Sequence, residues 1–237
     1  MPTETQSGFP RSPRLLKGGL AMYDTQDVGP QPSRLIVFQY NPDQLRRTLA
    51  TRAPPSEPSN TGGAREDVMR VMGPPVETIT LTVVLNAADQ LALPDQNETT
   101  VEHGLHPTLA TLEMLLYPPA SRAEEIERMA EQGEVQMSPA DLPLTLLVWG
   151  QSRVVPVLLT SFTVTEEAFD QNLNPILAKV ELGMKVLTYM EFPERSLARD
   201  AFISYQREKE NLAGEYQYGG DDSRVRALLP GGTAQRR

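Results

Sequence analysis

Residues 76–87 read VETITLTVVLNA, and their alternation decides the fold. Thr78, Thr80 and Thr82 alternate with Ile79, Leu81, Val83 and Leu85. A side chain type that recurs every second residue falls on one face of a strand. The β-branched residues that make up most of this run fit a pleated surface well. One face is therefore core, and the threonine face is polar but compatible with a sheet.

The same period extends toward the C-terminus. LPLTLLVWG (142–150) runs into a turn at Gly150–Arg153, and VVPVLLTSFTVTEEAF (154–169) continues from it. Phe162 and Val164 there alternate with Ser161, Thr163 and Thr165. After the loop DQNLNP, the run ILAKVELGMKVLTYM (176–190) puts Ala178, Val180, Leu182, Met184 and Val186 on one face and Lys179, Glu181 and Lys185 on the other. Three such segments in succession read as an antiparallel meander.

Toward the N-terminus lie LLKGGLAMY (15–23) and RLIVFQYNP (34–42), which can pair as a hairpin with a long loop. In the second run Leu35, Val37 and Gln39 share one face, and Ile36, Phe38 and Tyr40 the other. Both faces are largely apolar, as in a strand covered on both sides or one at an oligomer interface. Asn41-Pro42 ends it, because proline has no N–H for a ladder. Residues 44–52 (QLRRTLATR) fit a strand or a short helix, and 53–64 (APPSEPSNTGGA) are a loop by composition.

A helical insertion is expected over 105–133. Pro107 suits a first turn, Leu109, Leu112, Leu115 and Leu116 recur at helical spacing, and Pro118-Pro119 stops the helix. Ser121 and Glu124 have the spacing of a capping box for a second, charged helix. A polar helix is expected over 193–213, opened by Pro193 and carrying Leu197, Ala201, Ile203 and Tyr205 as sparse apolar positions. Such a helix is marginal alone and needs a surface to pack on. The expected organisation is a tail over 1–14, a β domain over 15–192, the helix, and a second tail over 214–237, both tails being rich in Pro, Gly and polar residues. A mainly β fold of about six or seven antiparallel strands, as a sandwich or small closed barrel, follows.

Composition narrows the function. A charge of −9 opposes general nucleic-acid binding, and Arg46-Arg47 and Arg236-Arg237 are short basic runs that read as solvated surface. The absence of cysteine removes disulfides, zinc thiolates and thiol nucleophiles. The start MPTETQSGFPRSPR has no apolar signal region, and the apolar runs are strand-sized, so no membrane span is expected. Glu102, His103 and His106 form E-H-x-x-H, three potential metal ligands at the mouth of a helix, but without the i, i+4 histidine spacing of a zincin. Helix capping or plain surface is the better reading, so neither metal nor cofactor is expected. Glu166-Glu167 lie side by side along a strand and diverge to opposite faces, which suits no acid/base pair. Trp149 sits inside an apolar strand and reads as core. No nucleotide-binding or hydrolase motif occurs in the sequence, and a non-enzymatic role is expected.

The order of several short motifs resembles the contractile injection system tube-protein N-terminal domain family. They are K-G-G-L at Lys17–Leu20; Phe38, Tyr40, Asn41 and Pro42, then Leu45, Arg46, Thr48 and Leu49; E-T-I-T-L-T-V at 77–83; H-P-T-L-A-T-L-E at 106–113; and LPLTLLVWG followed by V-P-V, at 142–157. The resemblance covers roughly residues 15–205. It implies a small antiparallel β-barrel of the phage-tail tube type and a structural role at the baseplate. Copies of such a subunit form a ring, expected to be a hexamer, that joins the spike hub to the inner tube. Implied partners are the inner-tube protein, the spike or hub protein, and baseplate wedge or sheath proteins. The implied setting is the bacterial cytoplasm during assembly, within a phage-tail-like particle. Many relatives carry a C-terminal LysM module; here the ring-forming domain is expected without one.

On this reading the partner-facing candidates are Phe38, Tyr40, Asn41, Pro42, Arg46, Arg47, Arg65, Arg70 and Tyr205. Residues 53–72 and the 193–213 helix are expected against neighbouring subunits. Deleting 55–64 should leave the monomer folded and abolish ring stacking, which electron microscopy of assembled particles reads directly. Two other readings stand beside it. One is the inner-tube subunit of the same machine, whose subunits are usually shorter. The other is a barrel that binds a small apolar ligand, which needs a wide interior and few large core side chains.

Overall fold

The computed structural model describes residues 16–23, 31–52, 71–118, 120–131 and 142–216. Seven strands make one sheet: β1 (Gly19–Tyr23), β2 (Arg34–Val37), β3 (Leu45–Ala50), β4 (Val76–Asn86), β5 (Leu144–Val148), β6 (Val154–Phe169) and β7 (Pro175–Val186). Their order is β2-β1-β5-β6-β7-β4-β3, and every pairing is antiparallel. The hairpin of β1 with β2 and the β5-β6-β7 meander are as expected. The stretch 44–52, open between two states, contains a strand.

Period two on β4 and β7 becomes one buried face. Ile79, Leu81, Val83 and Leu85 of β4 pack with Ala178, Val180, Leu182, Met184 and Val186 of β7, while the threonine and lysine positions stay exposed or half-exposed. On β6 the phase changes. Val155, Val157 and Leu159 face inward, a bulge falls between Leu159 and Ser161, and Phe162 and Val164 continue the inward face. An extra residue in one strand shifts all later side chains to the opposite phase. Gly183 lies opposite the bulge, where a Cβ would fall 2.1 Å from Ser161 Oγ.

The expected barrel closure is corrected: among the described residues β2 and β3 have no ladder partner on their outer sides, and the sheet is open. It nevertheless curls. The Gln39 side chain donates to Asn86 O at 2.8 Å and accepts from Asn86 N at 2.9 Å. β2 and β4 are five places apart in the sheet, roughly 24 Å if it were flat, at about 4.8 Å per strand. A single side-chain amide therefore stands where a closing ladder would run. The ladder is missing because β2 ends after four residues, where Phe38 turns into the core and Asn41-Pro42 redirects the chain.

Among the described residues there are five α-helices: α1 (Ala88–Leu91), α2 (Glu98–His103), α3 (His106–Glu113), α4 (Ala120–Glu131) and α5 (Leu197–Gly214). The insertion thus begins earlier than expected, directly after β4. Leu109, Leu112 and Leu115 join the sheet core, as their spacing implied, Leu116 packs against it partly buried, and Leu105 joins it as well. α4 is already under way at Ala120, so Ser121 is a helical residue and not the cap. α5 starts at Leu197 behind Ser196, whose hydroxyl accepts from Arg199 N at 3.3 Å; Pro193 precedes it. Its buried stripe is Ala198, Phe202 and Tyr205, spaced i, i+4, i+7, while Leu197 is exposed.

Candidate assembly surface

Register sorts the β2 side chains. Leu20 opposes Ile36, so Ile36 shares the inward face, and Leu35 and Val37 point away from it. These two are 60% and 51% exposed. On the far edge, β3 carries exposed Leu49 on a strand whose outer backbone has no ladder partner among the described residues. Sheet edges present rows of free N–H and C=O groups that template further pairing. Natural edges are commonly blunted by proline or lysine; neither residue occurs within β2 or β3.

The corner next to β2 is built from the glycine pair and the F-x-Y-N-P element. A Cβ on Gly18 would fall 2.6 Å from the Trp149 ring, and one on Gly19 would fall 2.6 Å from Ile36 O. The Asn41 side chain accepts from Gly18 N at 2.9 Å and donates to Leu16 O at 3.0 Å. Phe38 N donates to Gly18 O at 2.9 Å, and its ring lies 6.5 Å from that of Trp149. This locks the exit from β2 and holds the edge strand in a fixed place.

At the other edge a buried carboxylate ties α5 to the sheet. Glu77 occupies the inward phase of β4 and is 3% exposed. It accepts from Arg47 Nε of β3 at 2.6 Å, from Lys209 Nζ at 3.1 Å and from Tyr205 OH at 3.1 Å. Arg47 also donates to Tyr205 OH at 3.0 Å, and Lys209 Nζ sits 3.9 Å above the Tyr205 ring. Burial pushes the Glu77 carboxyl up, but the Arg47 hydrogen bond and the charges of Lys209 and Arg47 outweigh it and hold the group below its ordinary value. The hydrogen bond to Glu77 in turn raises Arg47.

A second ion pair closes the base of the β3–β4 hairpin. Arg52 Nη2 donates to Glu191 Oε1 at 2.8 Å, and Glu191 also accepts from Thr188 N and Thr188 Oγ1. Met72 N donates to Arg52 O at 3.0 Å, so the residues that flank 53–70 are joined at a neck. Val71, Met72 and Met190 are exposed around it.

Of the nine residues picked out from sequence, Arg47 and Tyr205 meet in the Glu77 cluster, and Phe38 is core. Tyr40 and Arg46 are exposed beside the two edges, Pro42 is half-buried in the connection to β3, and Asn41 pins the corner. Arg65, Arg70 and the 55–64 segment lie outside the described residues. Glu77 and Lys209 were missed. A signal existed: the alternation that puts Ile79 and Leu81 inward also puts Glu77 there, and an inward charge needs a partner. Glu102 Oε2 is 3.7 Å from His103 Nε2, and His106 opens the next helix beyond Gly104. Among the described residues no three histidine or carboxylate side chains cluster as a metal site. Among them, too, no helix is long and apolar enough to cross a membrane. No protein-family model and no curated protein matches the chain.

Proposed function

We propose that the chain is a structural subunit that assembles with copies of itself through its strand edges. More particularly, it is read as a baseplate or hub component of a contractile injection system, forming a ring between the spike hub and the inner tube. The observation that carries the first step is the open, curled sheet whose two edges, β2 and β3, have no ladder partner among the described residues and are both flanked by exposed apolar side chains. Edges of different sequence favour a heterologous contact, β2 of one copy beside β3 of the next, and such contacts generate rings when the rotation closes. The second step is supported by the sequence resemblance, whose K-G-G-L and F-x-Y-N-P elements coincide with the corner that fixes β2. The interior argues for this role over ligand storage, because Ile79, Leu147, Val155, Val180, Leu182 and Met184 fill it.

The test is a pair of charges on the β2 edge. The double variant Leu35→Lys, Val37→Lys alters two exposed side chains, so its circular dichroism should match the parent. The parent should sediment as a ring-sized oligomer at micromolar concentration, and the variant as a monomer with at least a hundredfold weaker association. A parent that remains monomeric at every concentration ends the proposal.

A further inference from the structure

The loop between β6 and β7 presents an apolar knob. Leu173 is 77% exposed and has φ +65°, a left-handed conformation that a leucine adopts only under constraint. The constraint is visible. The Asp170 carboxylate accepts from Asn172 N at 2.7 Å, Asn174 N at 2.8 Å and Asn174 Nδ2 at 2.9 Å. Asp170 N donates to Asn174 O at 2.9 Å. The Asn174 amide also donates to Glu102 O at 3.0 Å, and Leu105 N donates to Pro175 O at 2.8 Å. The loop is thus clamped to the α2–α3 junction, and its leucine is held out toward solvent.

At the other end of β7 lies a groove. β7 has 12 residues, which makes it roughly 36–40 Å long. Beyond it, Tyr189 and the outer side of α5 line a shallow depression of about 280 Å³ with Arg199, Ile203, Gln206, Arg207 and Glu210. The groove therefore has an apolar floor in Tyr189 and Ile203, and its charges are two arginines and one carboxylate, Glu210. The knob has exposed Glu102 beside it.

We infer that copies of this chain contact one another head to tail, with Leu173 of one copy seated in the Tyr189–Ile203 groove of the next. Knob and groove differ, lie at opposite ends of the sheet and carry opposite net charge, Glu102 and Asp170 on one and two arginines against Glu210 on the other, so the contact is heterologous and propagates along one direction. The inference rests on the self-assembly proposal and gives it an axial contact distinct from the lateral strand edges; copies that stack in this way favour the inner-tube alternative over a single ring between hub and tube.

The cysteine-free chain allows a direct test by disulfide trapping. Full-length Leu173→Cys and Gln206→Cys proteins, one of them tagged, are mixed and oxidised. The mixed pair should give at least tenfold more interchain dimer than either protein alone or than Leu173→Cys with Thr165→Cys on the outer sheet face. Leu173→Gly, which keeps the left-handed turn and removes the knob, should leave thermal stability unchanged and abolish stacking in negative-stain images. A mixed pair no better than the controls, or Leu173→Cys linking mainly to itself, overturns the inference. A parallel mixture of Val37→Cys with Leu49→Cys reports the lateral edges. Lateral links without axial ones sink only the head-to-tail contact, and axial links without lateral ones sink the ring.

Discussion

Phe38→Ala is expected to destabilise the isolated chain by about 3–5 kcal/mol, the range for emptying a buried aromatic site. Phe38 is 1% exposed and belongs to the main core cluster. Its neighbours are poorly able to collapse into the space. The Trp149 ring is held against Gly18, where even a Cβ would clash, and the Phe38 backbone is bonded to Gly18 O. The cavity should therefore persist and carry most of its full cost. Because Phe38 leads directly into Gln39, the variant should also loosen the amide that ties the end of β2 to Asn86. Urea unfolding of the monomeric protein checks this. Phe38 was picked out from sequence as a partner contact, and the experiment separates the two roles. Stability within 1 kcal/mol of the parent, together with lost assembly, would return Phe38 to the interface.

The sheet was legible because its chemistry is local. On β4 and β7 most buried apolar residues are followed by a polar one, the pattern of a half-buried strand. The leucine spacing of α3 was equally plain. What could not be read was closure. Whether seven strands form a barrel depends on how far the sheet curls and on which edges meet, and both are set by contacts distant in sequence. The Gln39–Asn86 bridge spans 47 residues and has no signature beyond one glutamine after a strand. The β6 bulge is similar: Thr160 and Ser161 in succession make an exposed step between two inward runs, and the irregularity fits only because Gly183 stands opposite.

The same contrast holds at the surface. Leu35 and Val37 were read as one apolar face of a strand that is covered or at an interface, and within a single copy they are uncovered. That outcome is what makes the edge a candidate for contact. Tyr205 and Arg47 were chosen as outward groups, yet Tyr205 is buried and both converge on Glu77. Helical propensity placed α5 correctly near the end of the chain, but its stripe of Ala198, Phe202 and Tyr205 became evident only against the sheet it covers.

Glu77→Ala should release α5 and lower stability by roughly 2–4 kcal/mol, the cost of breaking a buried charged network by removing one partner. The upper part of that range applies if Arg47 stays in place without its acceptor; the lower part applies if Arg47 and Lys209, both partly exposed, turn to water. Glu77→Gln keeps the shape and one acceptor and should cost less. The pH dependence follows from the carboxyl being held below its ordinary value in the folded chain. Such a group contributes stability that is fully present above the unfolded-state value near 4.3 and is lost as pH falls through the lower folded value. Parent and Glu77→Gln should therefore differ by a constant amount from neutral pH down to about pH 5. Below that, their stabilities should converge as Glu77 takes up its proton. Hydrogen exchange of α5 amides locates the effect. Protection should fall first over Leu197–Gly214 in Glu77→Ala, while β5, β6 and β7 keep theirs. Uniform loss of protection across the sheet would instead mean that Glu77 supports the whole core rather than the docking of this one helix.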